Sequence, residues 1–108
     1  MLTRLPIFLL SALAMIQVVD KVPDLDIGRE CRLENQDGSG YDLNHCIADE
    51  TSARQQILTE WESFDGDERR RCVGETMIAG DSSYVELLIC LETARDDRVK
   101  RVQTDDPQ

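Results

Sequence analysis

The feature that most constrains this sequence is its four cysteines, which are spread over a chain of 108 residues. An even number of cysteines in a short exported chain is typical of a disulfide framework. A domain of this size has a small core that is marginal without cross-links. No two cysteines are separated by two residues, which excludes a thioredoxin-type redox motif and a zinc ribbon. We therefore predict two structural disulfides among Cys31, Cys46, Cys72 and Cys90.

The N-terminus has the layout of an export signal. Arg4 precedes an apolar run, and Ala12-Leu13-Ala14 supplies the small residues that a signal peptidase requires. We expect a signal peptide over residues 1–14, cleaved after Ala14. An uncleaved membrane anchor is the alternative, but the apolar segment from Leu5 to Val19 has 15 residues, whereas a membrane-spanning helix needs about 20. A buried N-terminal helix is the lesser alternative.

The rest of the chain has the apolar period of helices. Apolar residues recur at spacings of three and four from Leu43 to Phe64, and again from Tyr84 to Ala94, which is the period of one helix face. A helical domain is predicted over residues 24–101. It contains a short helix over 24–33 and long helices over 43–63, 65–79 and from 84. A polar lead over 15–23 precedes the domain, and a disordered tail over 102–108 follows it.

Two helix starts are marked by capping boxes. Asp65 with Glu68, and Ser83 with Glu86, are three residues apart, the spacing at which a cap residue and a glutamate each accept a hydrogen bond from the other's backbone N–H. Gly80 suits the end of the helix that Asp65 begins. These signals predict a helical hairpin that turns near Gly80.

Cysteine pairing follows from the rise of about 1.5 Å per helical residue. Cys72 lies eight residues before Gly80 and Cys90 lies ten after it, so both stand about 12 to 15 Å from the turn. Around the preceding turn, Cys46 and Cys72 would stand at about 27 Å and 12 Å, a mismatch beyond the roughly 7 Å Cα limit of a disulfide. We predict Cys72 with Cys90 and Cys31 with Cys46. Cys46 with Cys90 and Cys31 with Cys72 is the runner-up.

The charge balance restricts the partners. The chain has 22 acidic and 12 basic residues, and removal of Arg4 with the leader would leave 11 basic residues and a net charge near −11. Nucleic acids and anionic membranes require a basic footprint. We therefore expect no nucleic-acid partner and no stable membrane anchor after signal cleavage, and a cationic partner remains open.

No catalytic apparatus is indicated. His45 is the single histidine, and a lone histidine beside a cysteine near a helix start is most often a surface or capping residue. Nothing singles out two of the 22 carboxylates as an acid and base pair. A small hydrolase would need a nucleophile, a base and a cleft. We expect a non-enzymatic protein without catalytic residues, metal or cofactor.

Two groups of residues are candidates for contact with a partner. Arg69, Arg70 and Arg71 form a basic cluster that suits carboxylates, although pairing with Asp65 and Asp67, four residues earlier, is the preferred interpretation. The aromatic candidates would form a contact surface if exposed, although core or corner packing is the preferred interpretation of the first two. They are Trp61, Phe64 and Tyr84.

The segments Glu60–Phe64, Arg70–Val73 and Ser82–Glu92 together resemble a group of short, uncharacterised, exported four-cysteine helical proteins of alphaproteobacteria. The resemblance covers residues 46–98 and leaves out the N-terminal third of the chain. It implies an exported helical protein with two disulfides, and it implies no activity and no functional residue.

The sequence thus predicts an all-α fold, a small three-helix arrangement with a short leading helix and two disulfides. The leading functional prediction is a non-enzymatic exported binding or structural protein of the bacterial envelope, in the periplasm or outside the cell. Its protein partner is unidentified. An acid- or stress-responsive envelope chaperone is the alternative. The predicted core consists of Leu43, Ile47, Ile57, Trp61, Val73, Met77, Leu87, Leu88 and Leu91.

Overall fold

The computed structural model describes residues 21–36, 40–78 and 82–104, and this part of the chain is helical without a strand. The predicted all-α class is confirmed. The predicted signal peptide, residues 1–14, lies outside the described residues, and within them no helix is long and apolar enough to cross a membrane. The helices are α1 (Ile27–Glu34), α2 (Gly40–Glu60), a 3₁₀ turn (Trp61–Ser63), α3 (Gly66–Ile78) and α4 (Tyr84–Thr104).

Helix α4 lies at the centre of the arrangement. Both α2 and α3 pack against α4, and α1 packs against α2. Glu50 contacts the start of α4 and Glu60 contacts Arg95 further along, so α2 and α4 run parallel. Cys72 is bonded to Cys90 and α3 runs antiparallel to α4. Three helices therefore share one interior, and α4 contributes to both of its interfaces.

The core is small and sits between α2, α4 and the turn after α2. Ile57, Phe64, Tyr84, Leu87 and Leu91 are almost completely buried. Burial of one such side chain stabilises the fold by about 1.5 to 3 kcal/mol. Because few residues are buried this deeply, the core alone provides modest stability, as expected for a short chain.

The predicted core is correct at its centre and wrong at its edges. Val73 and Leu88 are partly buried and pack against the core, but Ile47 and Met77 are exposed and Leu43 is half-buried. Helix α3 packs on α4, so only the apolar residues on one face of α3 are covered. Met77 lies outside that covered face. Helical period identifies the apolar positions, and the number of neighbouring helices decides which of them are covered.

Both predicted disulfides are confirmed. Cys31 is bonded to Cys46 with a Cα–Cα distance of 5.7 Å, and Cys72 is bonded to Cys90 with a Cα–Cα distance of 5.6 Å. The first disulfide joins α1 to α2, and the second joins α3 to α4. The disulfides thus cross-link α1 and α3 to the two long helices, which stabilises a domain whose core is small.

The helix ends agree with the prediction in part. The Asp65–Glu68 capping box is confirmed, because each backbone N–H donates to the other side chain at 2.9 and 2.8 Å. Helix α1 begins at Ile27, later than predicted, because the side chain of Asp26 caps it by accepting from the Arg29 N–H at 3.0 Å. Helix α4 continues to Thr104, so the first residues of the predicted tail are helical; residues 105–108 lie outside the described residues.

The end of the predicted polar lead is part of the packed domain. The Tyr84 hydroxyl donates to the carbonyl oxygen of Pro23 at 2.7 Å and accepts from the N–H of Leu25 at 2.8 Å. Leu25 is buried, and Val22 packs against the core. One buried phenol therefore satisfies two backbone groups and holds this segment beside α4.

Removal of the α3–α4 disulfide should destabilise the protein strongly. The bond closes a separation of 18 residues, for which the chain-entropy model gives about 3 kcal/mol. We expect C72A/C90A to lower the free energy of unfolding by at least this amount, because Cys72 is also fully buried. Urea unfolding followed by circular dichroism measures it. A change below about 1 kcal/mol would show that the bond is not structural.

Candidate functional site

The aromatic residues predicted as partner contacts lie in the core. Trp61 is 6% exposed, Phe64 1% and Tyr84 0%, so they do not form a surface and this part of the prediction is corrected. The turn after α2 directs Trp61 and Phe64 inward, where their rings meet edge to face with centroids 6.5 Å apart. Packing at a helix corner is therefore the role of these two aromatic residues.

The arginine cluster is divided among three different environments. Arg69 donates its Nη2 to the carbonyl oxygen of Trp61 at 2.7 Å and lies over the indole ring, 4.9 Å from its centroid. Arg70 pairs with Asp67 on the same helix. Arg71 is exposed and has no hydrogen-bond or ion-pair partner among the described residues. The predicted pairs four residues apart are replaced by these contacts, and Arg71 is the member available to a partner.

Two arginines of α4 bind the corner between α2 and α3. Arg95 donates its Nη1 to Glu60 Oε1 at 2.7 Å and to Ser63 Oγ at 2.8 Å. Arg98 donates its Nε to Glu68 Oε2 at 2.7 Å and its Nη2 to the Ser63 carbonyl oxygen at 3.0 Å. The guanidinium groups thus satisfy polar groups of the turn, and Arg95 also lies over the Phe64 ring. These are structural contacts, and they leave neither arginine free for a ligand.

Glu50 is the residue that sequence reasoning missed. The residue is 6% exposed. Its carboxylate accepts from the Ser83 hydroxyl and the Tyr84 N–H, each at 2.6 Å, and from the Val85 N–H at 3.4 Å. A carboxylate at a helix N-terminus satisfies free N–H groups and favours the helix dipole. Within the predicted Ser83–Glu86 box, the Ser83 hydroxyl oxygen accepts from the Glu86 N–H at 3.3 Å, and Glu50 of α2 caps the two N–H groups between them.

The groove along the outer side of α3 and α4 is the best candidate site for a partner. It has a volume of about 460 Å³. Arg71 and Glu75 line its α3 side, and Ile89, Thr93 and Asp97 line its α4 side. Ile89 is 54% exposed. The groove therefore combines an apolar side chain with an unpaired arginine and carboxylates.

A second recess lies where α1, α2 and the start of α4 meet. It has a volume of about 430 Å³ and its lining includes His45, Asp49 and Glu86. His45 is exposed, in agreement with its interpretation as a surface residue. Across residues 21–36, 40–78 and 82–104, no group of three or more histidine, cysteine or acidic side chains could hold a metal ion.

Two glutamates beside Arg95 have pKa values that are shifted in opposite directions. The hydrogen bond from Arg95 lowers the pKa of Glu60, and Gln56 adds to the effect. Burial raises the pKa of Glu92, and the charge of Glu60 adds to it. Arg95 thus stabilises the ionised form of Glu60, whereas burial and the charge of Glu60 disfavour the ionised form of Glu92.

Comparisons with protein-family models, with curated proteins and with solved structures each found no match.

Substitution of Glu50 tests the cap. Glu50→Gln should destabilise the protein by about 2 kcal/mol, because hydrogen bonds to a buried charged group are worth about 1.5 to 3 kcal/mol. Glu86→Gln is the matched control: it removes the same charge from an exposed side chain and should change stability by less than about 0.5 kcal/mol. Chemical unfolding of both variants provides the measurement. Equal losses would contradict the assignment of the cap to Glu50.

The pH dependence of stability tests the Arg95 network. Because the pKa of Glu60 is lowered in the folded state, its contribution is present above its unfolded pKa and is lost as the pH falls through the folded value. Glu60→Gln should cost about 1 kcal/mol at pH 7 and close to nothing at pH 2. Glu92→Gln should be neutral or stabilising at pH 7, because the raised pKa of Glu92 means that its ionised form opposes folding. Thermal unfolding of both variants between these two pH values measures the changes in stability. A loss of stability in Glu60→Gln that does not change with pH would refute the network.

Proposed function

We propose that this chain is a non-enzymatic exported binding or structural protein of the bacterial envelope, and that it binds a protein partner in the α3–α4 groove. The observation that carries the proposal is the position of Arg71 and Ile89 on the two sides of that groove. Arg71 has no partner among the described residues, whereas Arg69, Arg70, Arg95 and Arg98 are engaged within the fold.

Export is supported by two features. The N-terminal segment has the composition of a signal peptide, and two disulfides persist best in an oxidising compartment. The periplasm and the extracellular space both meet this requirement. The protein would act there after residues 1–14 have been removed.

The chemistry of the groove indicates the kind of partner segment that it fits. Glu75, Glu86 and Asp97 have no ion pair among the described residues and lie around Ile89. A partner segment with basic side chains beside an apolar one would pair with the carboxylates and cover Ile89. An acidic side chain of the same segment would pair with Arg71, for which a guanidinium has a suitable fork. The net charge of −10 favours approach of such a basic partner.

The test compares two aspartate substitutions on one helix. The oxidised chain, residues 15–108, would be used to capture proteins from an envelope extract. Ile89→Asp places a charge in the groove and should remove the captured partner. Val99→Asp is the matched control, because Val99 is also on α4 and is 44% exposed but does not line the groove. Retention of the same partner by wild type and Ile89→Asp would refute the site.

The chaperone alternative rests on the exposed apolar residues of α3 and α4. Ile78 is 87% exposed and Val102 66% exposed. At about pH 2 carboxylates are protonated, so the Arg95–Glu60 and Arg98–Glu68 ion pairs are lost while the disulfides remain. Further apolar surface would then become available for unfolding clients.

Light scattering of an aggregating client at about pH 2 to 3 tests this alternative. The oxidised protein should suppress the scattering in proportion to its concentration if it acts as a chaperone. No suppression at a molar excess would eliminate this function and would leave the groove-binding proposal unaffected.

A further inference from the structure

Both disulfides have the same asymmetry. Cys31 and Cys72 are completely buried, whereas their partners Cys46 and Cys90 are half-buried. In each disulfide, one cysteine is therefore fully enclosed and the other is the more accessible of the two. A thiol that reduces either bond must approach the more exposed sulfur.

A carboxylate lies beside the sulfur of each of these two more accessible cysteines. Glu34 Oε2 is 3.7 Å from Cys46 Sγ, and Glu75 Oε2 is 3.7 Å from Cys90 Sγ. A sulfur in a disulfide carries no hydrogen and cannot donate to these oxygens. The contact consequently places a negative charge beside the sulfur that a thiolate, also negative, must attack.

The chemistry of reduction disfavours thiolate attack on either disulfide. When a thiolate attacks Cys90 Sγ, a mixed disulfide forms, the Cys72–Cys90 bond breaks, and the electron pair leaves on the Cys72 sulfur. That thiolate would form at a completely buried position, where the anionic form is disfavoured. A second thiolate then attacks the mixed disulfide, yields the oxidised reductant, and releases Cys90 as a thiolate beside Glu75.

We propose that Glu34 and Glu75 shield the two disulfides electrostatically from anionic thiols. Glu75 and Cys90 also line the α3–α4 groove, but the shielding does not require a partner to bind there. Each carboxylate slows both the approach of the attacking thiolate and the formation of a thiolate at the neighbouring cysteine. The protein would thereby keep its cross-links in the presence of thiol reductants such as glutathione.

The two glutamates provide controls for each other. Glu34→Gln should accelerate reduction of Cys31–Cys46 and leave Cys72–Cys90 unchanged, and Glu75→Gln should do the opposite. The expected acceleration is about fourfold, from the repulsion of two unit charges roughly 5 Å apart in water. Both variants have the same net charge, so a general charge effect would change both bonds equally.

Initial rates of reduction by glutathione would be measured on the folded, oxidised chain, by alkylation and mass spectrometry of each cysteine pair. The measurement would be made at about pH 8, where part of the glutathione thiol is ionised. The accelerations should shrink with cysteamine, whose ammonium group offsets the thiolate charge, and at roughly 1 M salt, where the Debye length is about 3 Å. Equal rates at each bond in wild type and its own glutamine variant would overturn the proposal, as would accelerations that are the same at both bonds.

Discussion

The carboxylate of Glu50 meets the first turn of α4, and the rest of the structure depends on where that helix begins. The hydrogen bonds from Ser83, Tyr84 and Val85 set the position of α4 along α2. A slip of one helical turn would move it by about 5.4 Å. That displacement would separate Arg95 from Glu60, which are 2.7 Å apart. One buried carboxylate thus determines the register on which the arginine contacts depend.

Most of the basic side chains near the α2–α3 corner are used within the fold. Arg69, Arg95 and Arg98 bind carbonyl, hydroxyl and carboxylate groups around Ser63, and two of them cover aromatic rings. These contacts compensate for a small apolar core. They also leave Arg71 as the cluster member that faces a groove, which is why the proposed binding surface is found there.

The sequence predicted those features that depend on nearby residues. Asp65 and Glu68 are three residues apart, so their capping box follows from local spacing, and the pairing of Cys72 with Cys90 follows from the helical rise on each side of one turn. Glu50 could not be recognised, because Ser83 is 33 residues away and Glu86 offered a local cap of equal quality. Apolar spacing likewise did not show that Met77 is left uncovered.

The same limit applies to the candidate site. The sequence identified Arg71 through its basic cluster, but Arg69 also has an aspartate four residues earlier and has a structural role. The two arginines differ in burial. The side chain of Arg69 is 15% exposed, whereas Arg71 is exposed and lines the groove. Trp61 at the end of a long helix was compatible with either a surface or a corner, and the direction of the turn decided between them.

The central claim is that α4 is the shared packing partner of α2 and α3, and amide hydrogen exchange of the oxidised protein tests it most directly. Amides that open only with global unfolding exchange most slowly. The account predicts the slowest exchange in the segment of α4 between the buried residues Leu87 and Ala94, and the fastest helical exchange in α1. Exchange in this part of α4 as fast as in α1, or the strongest protection confined to α2, would contradict it.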